Sequence, residues 1–187
     1  PDAHRARPSR CVFAILSFWN GPPARIIDRK AGMNLFDVIS PERVMILESA
    51  SKAGVLRELT NLLTATGIVA NPGELERLIL EREALMSTGI GLGIAVPHAR
   101  IAGLSTSCIA FGISPEGIRD YESIDGSPVR IVAMIITGTQ RQREYIELLS
   151  SLARLFKDES TRERVLSART TKELWETLIH EQSGLLA

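Results

Sequence analysis

Ser87-Thr88-Gly89-Ile90-Gly91-Leu92-Gly93-Ile94-Ala95-Val96-Pro97-His98 decides how this chain is read. Three glycines at alternate positions lead into a short apolar strand that ends at Pro97-His98. Glycine allows positive φ and lets a backbone approach a ligand closely. A loop with few side chains leaves its N–H groups free to face an anion. The histidine that follows carries the side chain whose charge is most adjustable near neutral pH. An anion cradle beside a nucleophilic imidazole points to phosphoryl chemistry on His98. A glycine-rich turn followed by a structural histidine is the plainer alternative that the pattern leaves open.

Two familiar phosphate motifs are excluded. No Gly-Lys-Ser/Thr follows the glycines, so the loop is not a P-loop. The spacing lacks the G-x-x-G ending of a dinucleotide fingerprint, and the order is loop then strand rather than strand, loop, helix. Ser87 has no G-x-S-x-G elbow, which argues against a serine hydrolase.

Working outward, Asn71-Pro72-Gly73-Glu74 reads as a helix start, with an N-cap, a proline at the first position and an acid three residues after the cap. That helix carries Leu75, Leu78, Ile79 and Leu80, and delivers Arg82 close to His98 by chain connectivity. A solvated Arg82, or one paired with the local glutamates, is the other reading. Val44 to Leu47 is an expected edge strand. Lys52 to Ala65 has leucines at helical spacing and ends at Gly67. Ser107 to Ile113 is a strand, and the nearly all-apolar Val129 to Ile136 fits a strand buried on both faces. A long helix starts near Gln140 and places Tyr145, Leu148, Leu152 and Leu155 on one side. Arg162 to Ala168 forms a short helix, and Thr170-Thr171-Lys172-Glu173 opens a last one. Strands alternating with helices predict an α/β fold, a single domain with a central mixed β-sheet flanked by helices on both faces.

Composition sets the outer bounds. The 187 residues suffice for one domain with a proper core, and 44% hydrophobic with 24% charged residues is ordinary for a globular protein. A net charge of +0 offers no electrostatic footprint for nucleic acid or an anionic membrane. No apolar run approaches the roughly 18 residues of a membrane span. Residues 1–33 hold six basic and two acidic side chains, which leaves 16 basic and 20 acidic residues for the remainder. The segment has the outline of a signal peptide without a clean cleavage site. A second reading takes Met33 as the natural start, with residues 1–32 as an upstream extension. The preferred reading of residues 1–33 is a poorly structured N-terminal extension rather than a domain, with residues 34–187 as the folded domain and His4 uninvolved. Cys11 and Cys108 can form a disulfide in principle, but a reducing compartment fits two distant cysteines better. His4, His98 and His180 lack zinc-ligand spacing, so neither a metal nor a cofactor is expected.

The same residues carry a resemblance. Glu81-Arg82-Glu83, then Ser87-Thr88-Gly89-Ile90-Gly91 and Gly93-Ile94-Ala95-Val96-Pro97-His98, resemble the signature of enzyme IIA of the bacterial phosphotransferase system. The matching class is the fructose/mannitol type, which includes the nitrogen-regulatory IIA proteins, and the likeness runs from about Leu35 to the C-terminus. It implies a cytoplasmic protein in which His98 accepts a phosphoryl group from a histidine phosphocarrier protein, with Arg82 near the phosphate. It also implies a IIB partner in sugar uptake, or a regulated transporter or kinase. The alternative is a non-catalytic binding module whose docking depends on His98 phosphorylation. Backbone N–H groups around Gly89, Gly91 and Gly93, with the hydroxyls of Ser87 and Thr88, are the expected phosphate contacts. The chain departs from the family pattern at Leu92 (often Asn), Ala99 (often Gly), Arg100 (often Lys) and Tyr145 (often a second histidine). A tyrosine hydroxyl at that place can donate a hydrogen bond to phosphate or imidazole but cannot carry a positive charge.

Overall fold

The computed structural model describes residues 35–186. The readings of the N-terminal extension, of His4, of Cys11 and of Met33 lie outside them. A helical turn, α1 (Leu35–Val38), and a 3-10 turn at Pro41–Arg43 precede strand β1 (Val44–Ile46). Two helices follow, α2 (Lys52–Ala65) and α3 (Pro72–Leu85). Then come β2 (Gly89–Gly91), β3 (Ile94–Ala95), β4 (His98–Ile101), β5 (Cys108–Ile118) and β6 (Val129–Gly138). Helices α4 (Gln142–Leu155), α5 (Glu159–Leu166) and α6 (Thr171–Leu186) complete the fold.

The six strands form one mixed sheet in the order β1-β5-β6-β3-β2, with β4 also alongside β6. β1 runs parallel to β5, β5 antiparallel to β6, and β3 and β4 both parallel to β6. β6 is buried at every position but Arg130, as a central strand covered on both faces requires. Its alternating side chains divide the core. Ile131, Ala133 and Ile135 face the layer of α4, α5 and α6, while Val132, Met134 and Ile136 face α2 and α3. Phe111 of β5 stacks on Phe156 at 5.7 Å between ring centroids in the first layer. In the second, full burial of Leu56, Leu59 and Leu63 of α2 stabilises by roughly 1.5–3 kcal/mol each.

The helix signals act as expected. The Asn71 side chain accepts from the Glu74 N–H at 3.1 Å, and Gly67 takes φ +72 just past the end of α2. The Thr170 hydroxyl accepts from the Glu173 N–H at 3.1 Å, while a Glu173 carboxylate oxygen accepts from the Arg169 N–H at 2.9 Å. Leu80 lies in α3 as expected but is 42% exposed, because Leu75, Ile79 and Glu83 take the buried stripe of the helix. Cys108 is a buried free thiol, which burial pushes up to a pKa of about 11.

The larger difference concerns the glycine-rich run, expected to be a loop feeding one strand. Leu92 (φ 58) and Gly93 (φ 74) instead make a two-residue turn that pairs β2 with β3 as a hairpin. β3 and β4 then lie end to end along β6, at Ile131–Val132 and at Ile135–Gly138. Val96-Pro97 separates them because proline has no N–H to give the ladder. The Pro97 carbonyl still accepts from the Ile135 N–H at 2.9 Å. His98 is therefore the first residue of a strand, held at the break.

Candidate functional site

The break at Val96-Pro97 turns His98 toward the end of α3 and the start of α4. Its Nδ1 lies 3.1 Å from the Val96 carbonyl oxygen, and its Nε2 lies 3.1 Å from Arg82 Nε. A carbonyl only accepts and a guanidinium N–H only donates, so both contacts require the same tautomer. Nδ1 carries the proton, and Nε2 presents its lone pair. The Tyr145 hydroxyl lies 3.2 Å from the same Nε2 and donates to it. The sequence-predicted residues Arg82, His98 and Tyr145 thus converge on one nitrogen.

Each neighbour has a structural reason to be there. Arg82 sits in the last turn of α3, where a cation complements the helix dipole. Its Nη1 donates to the Met86 carbonyl oxygen at 2.9 Å, at the end of the helix. Arg82 pairs with neither local glutamate: Glu81 pairs with Arg77, and Glu83 with Lys52. Tyr145 lies in the first turns of α4 with its ring 4.8 Å from the imidazole centroid, and the Arg100 guanidinium lies 5.6 Å from the tyrosine ring centre. The start of α4 is anchored by Glu144, which accepts from the Ser107 hydroxyl at 2.6 Å and pairs with Arg141.

These surroundings keep the imidazole neutral. Burial lowers the His98 pKa below the ordinary histidine value, and the Arg82 and Arg100 charges lower it further. The bond to the Val96 carbonyl and the more distant Glu83 charge oppose them without reversing the direction. Burial also raises the Tyr145 pKa, so its hydroxyl stays a donor.

The glycine-rich hairpin is built differently from the expected anion cradle. The Gly91 N–H donates to the Ser123 hydroxyl at 3.1 Å and the Leu92 N–H to the Asp125 carboxylate at 2.8 Å. Ser87 donates its hydroxyl to the Glu122 carbonyl at 2.6 Å. Thr88 is buried, and both its N–H and its hydroxyl go to Glu83. Gly93 offers its carbonyl to the N–H groups of Arg130 and Ile131. Gly89 lies where a Cβ would meet the Glu122 carbonyl, so its glycine serves a close approach of backbone to backbone. The physical reason is that the 122–127 segment, remote in sequence, closes over the hairpin and takes its donors.

Sequence reasoning missed that segment and also the group behind the histidine. Glu83 is 7% exposed and receives Lys52 Nζ at 2.9 Å, the Thr88 N–H at 3.0 Å and the Thr88 hydroxyl at 2.6 Å. Thr88 Oγ1 is also 2.9 Å from the buried Tyr121 hydroxyl. Burial on its own would raise the Glu83 pKa, but the hydrogen bonds from Thr88 and Lys52 outweigh it and leave the carboxyl lowered and ionised. The signal available in the sequence was a carboxylate one residue after the site arginine. Among the described residues no group of His, Cys, Asp or Glu side chains is arranged to hold a metal. No helix among them is long and apolar enough to cross a membrane.

Residues 37–181 match the family described as phosphoenolpyruvate-dependent sugar phosphotransferase system, EIIA 2. The chain is 31% identical to the fructose-specific EIIA component of Haloferax volcanii, over 78% of this chain and 97% of that protein. It is 35% identical to the fructose-specific EIIABC component of Bacillus subtilis over 74% of this chain, which spans only 22% of that longer protein. Among solved structures it resembles the nitrogen regulatory protein IIA-Ntr of Neisseria meningitidis, with a TM-score of 0.68, 28% identity, and 76% and 97% of the two chains covered. It also resembles the mannitol enzyme IIA of Escherichia coli in its complex with phosphorylated enzyme IIB, with a TM-score of 0.62, 27% identity, and 76% and 97% covered. By sequence and by fold, this chain belongs to the EIIA 2 family of the phosphoenolpyruvate-dependent sugar phosphotransferase system.

Proposed function

We propose that Nε2 of His98 is the acceptor of a phosphoryl group from a histidine phosphocarrier protein, and that the protein passes the group on or is controlled by it. The observation that carries this reading is the fixed tautomer. Nδ1–H is bound to the Val96 carbonyl, and the Nε2 lone pair faces Arg82 and Tyr145. A neutral imidazole is a competent nucleophile.

The step balances without a metal or redox partner. Nε2 forms a bond to phosphorus as the bond from phosphorus to the donor's ring nitrogen breaks, and that electron pair returns to the donor. The proton on Nδ1 stays in place. Phosphoryl transfer asks mainly for alignment and for compensation of charge on the equatorial oxygens. Arg82 and Tyr145 release Nε2 when its lone pair is used, and their donors then serve the oxygens bound to the new phosphorus.

The surroundings suit a protein partner. Leu85 and Met86, just beyond Arg82, are 83% and 71% exposed, and Ile146 beside Tyr145 is 44% exposed. Apolar groups left open beside a polar centre favour docking of another protein face. Phosphorylation adds about −1.5 to −2 charge units to that face, which is enough to change which partner it accepts. A regulatory role draws support from the likeness to IIA-Ntr and from Tyr145 at the place of the family's second histidine. A role in sugar uptake draws support from the fructose-specific relatives and from the solved complex with enzyme IIB.

Intact mass spectrometry tests the reading. The full chain is incubated with phosphoenolpyruvate and the phosphocarrier components, beside His98→Ala. One acid-labile phosphoryl group on the wild type and none on His98→Ala is the expected result. No gain on a folded wild type, with a control acceptor labelled in the same mixture, contradicts it.

A further inference from the structure

Glu83 is the buried ionised group that the transfer step leaves unused, and a continuous chain of contacts leads from it to the reacting ring. Its carboxylate accepts the Thr88 N–H at 3.0 Å and the Thr88 hydroxyl at 2.6 Å. The Thr88 carbonyl accepts the Val96 N–H at 3.0 Å. The Val96 carbonyl lies 3.1 Å from His98 Nδ1. Val96 stands at the gap between β3 and β4, where the ladder to β6 is interrupted. Its orientation therefore depends on Thr88 more than that of a residue within a strand would. Lys52 and Tyr121 close the far side of the carboxylate through the Lys52 ion pair and the Thr88–Tyr121 contact.

We infer that Glu83 is a positioning residue for His98: it fixes Thr88, Thr88 fixes the Val96 peptide, and the Val96 carbonyl holds the ring with Nδ1 protonated and Nε2 bare. Glu83 makes no contact with the ring, so beside the long-range effect of its charge its hold on the Nδ1 side passes through Thr88 and Val96. Arg82 is its immediate neighbour on α3, so the same anchor sets the end of the helix from which Arg82 reaches Nε2. The inference rests on His98 being the acceptor, but the state of the unphosphorylated ring can be read without any donor.

The test uses the full chain labelled with nitrogen-15 in its histidines, with the His98 signals assigned by their loss in His98→Gln. Wild type, Glu83→Gln, Thr88→Val and Thr88→Ser are compared. Wild type is expected to show Nδ1 protonated and Nε2 bare. Glu83→Gln and Thr88→Val are expected to show a mixture of the two tautomers and transfer slowed by about 10- to 100-fold. Thr88→Ser keeps the hydroxyl and is expected to follow the wild type in both readouts. Thr88→Val keeps the volume of the side chain and carries the test if Glu83→Gln does not fold. A folded Thr88→Val with the wild-type tautomer and rate overturns the inference, and so does an equal loss in Thr88→Ser. Failure of the wild type to take up phosphate overturns the carrier reading instead, and leaves the tautomer result standing.

Discussion

Arg82 and His98 stand 16 residues apart and meet through one N–H, with Arg82 Nε 3.1 Å from His98 Nε2. A guanidinium beside an imidazole is electrostatically unfavourable once the ring is protonated. The contact is tolerable because the ring accepts the hydrogen bond as a neutral base. The pair is therefore set for a nucleophile rather than for a cationic histidine.

Replacing Arg82 tests that arrangement. Arg82→Ala is expected to slow phosphoryl uptake by about 10²- to 10³-fold, the usual effect of losing a charged donor to a developing oxyanion. Arg82→Lys should recover only part of it, because an ammonium lacks the fork that meets two oxygens at once. The His98 pKa should also rise in Arg82→Ala as the repulsion disappears, which a proton NMR titration reads directly.

The lowered His98 pKa fixes the sign of two pH effects. Transfer should hold its rate down to pH values below the ordinary histidine pKa of about 6.5, then fall as the ring is protonated. Stability follows the same direction. The unfolded chain binds the proton more readily, so stability linked to His98 is complete above about pH 6.5 and declines as pH falls through the folded value. Urea midpoints measured from pH 7.5 to 5 should show a shallower slope in His98→Gln than in the wild type.

Tyr145→Phe keeps the ring in place and removes only the hydroxyl 3.2 Å from Nε2. Loss of one neutral donor corresponds to about 1 kcal/mol, or roughly a fivefold slower transfer. Thermal stability should be nearly unchanged, because the hydroxyl sits at the partly open site. Stopped-time phosphorylation followed by mass measurement separates this from the larger effect at Arg82.

Much of the fold was legible because its signals are local. The Asn71 cap, the glycine after α2, the leucine spacing in α2 and α4 and the apolar run of β6 each report on neighbours within a few residues. The closeness of Arg82 to His98 was legible for a similar reason, since α3 runs directly into the hairpin. The hairpin itself was misread, because its turn depends on Leu92 at positive φ, a conformation that favours glycine. The destination of its N–H groups was equally hidden. Ser123 and Asp125 lie more than thirty positions downstream of the groups they bind. The Glu83 network escaped for the same cause, as it gathers Lys52, Thr88 and Tyr121 from three separate stretches of the chain.

The close backbone approach at Gly89 gives a stability prediction. An added Cβ would meet the Glu122 carbonyl where segment 122–125 crosses the hairpin. Gly89→Ala leaves the N–H intact but should destabilise the fold by about 1–3 kcal/mol through forced backbone shifts. Denaturant unfolding checks it, and a variant as stable as the wild type would contradict the close approach.

The most direct test of the central claim is a long-range nitrogen-15 spectrum of the phosphorylated full chain, in which phosphorus coupling identifies the bonded ring nitrogen. The structure predicts phosphorus on Nε2 of His98, with Nδ1 still protonated. Phosphorus on Nδ1, or on His4 or His180, would contradict the account.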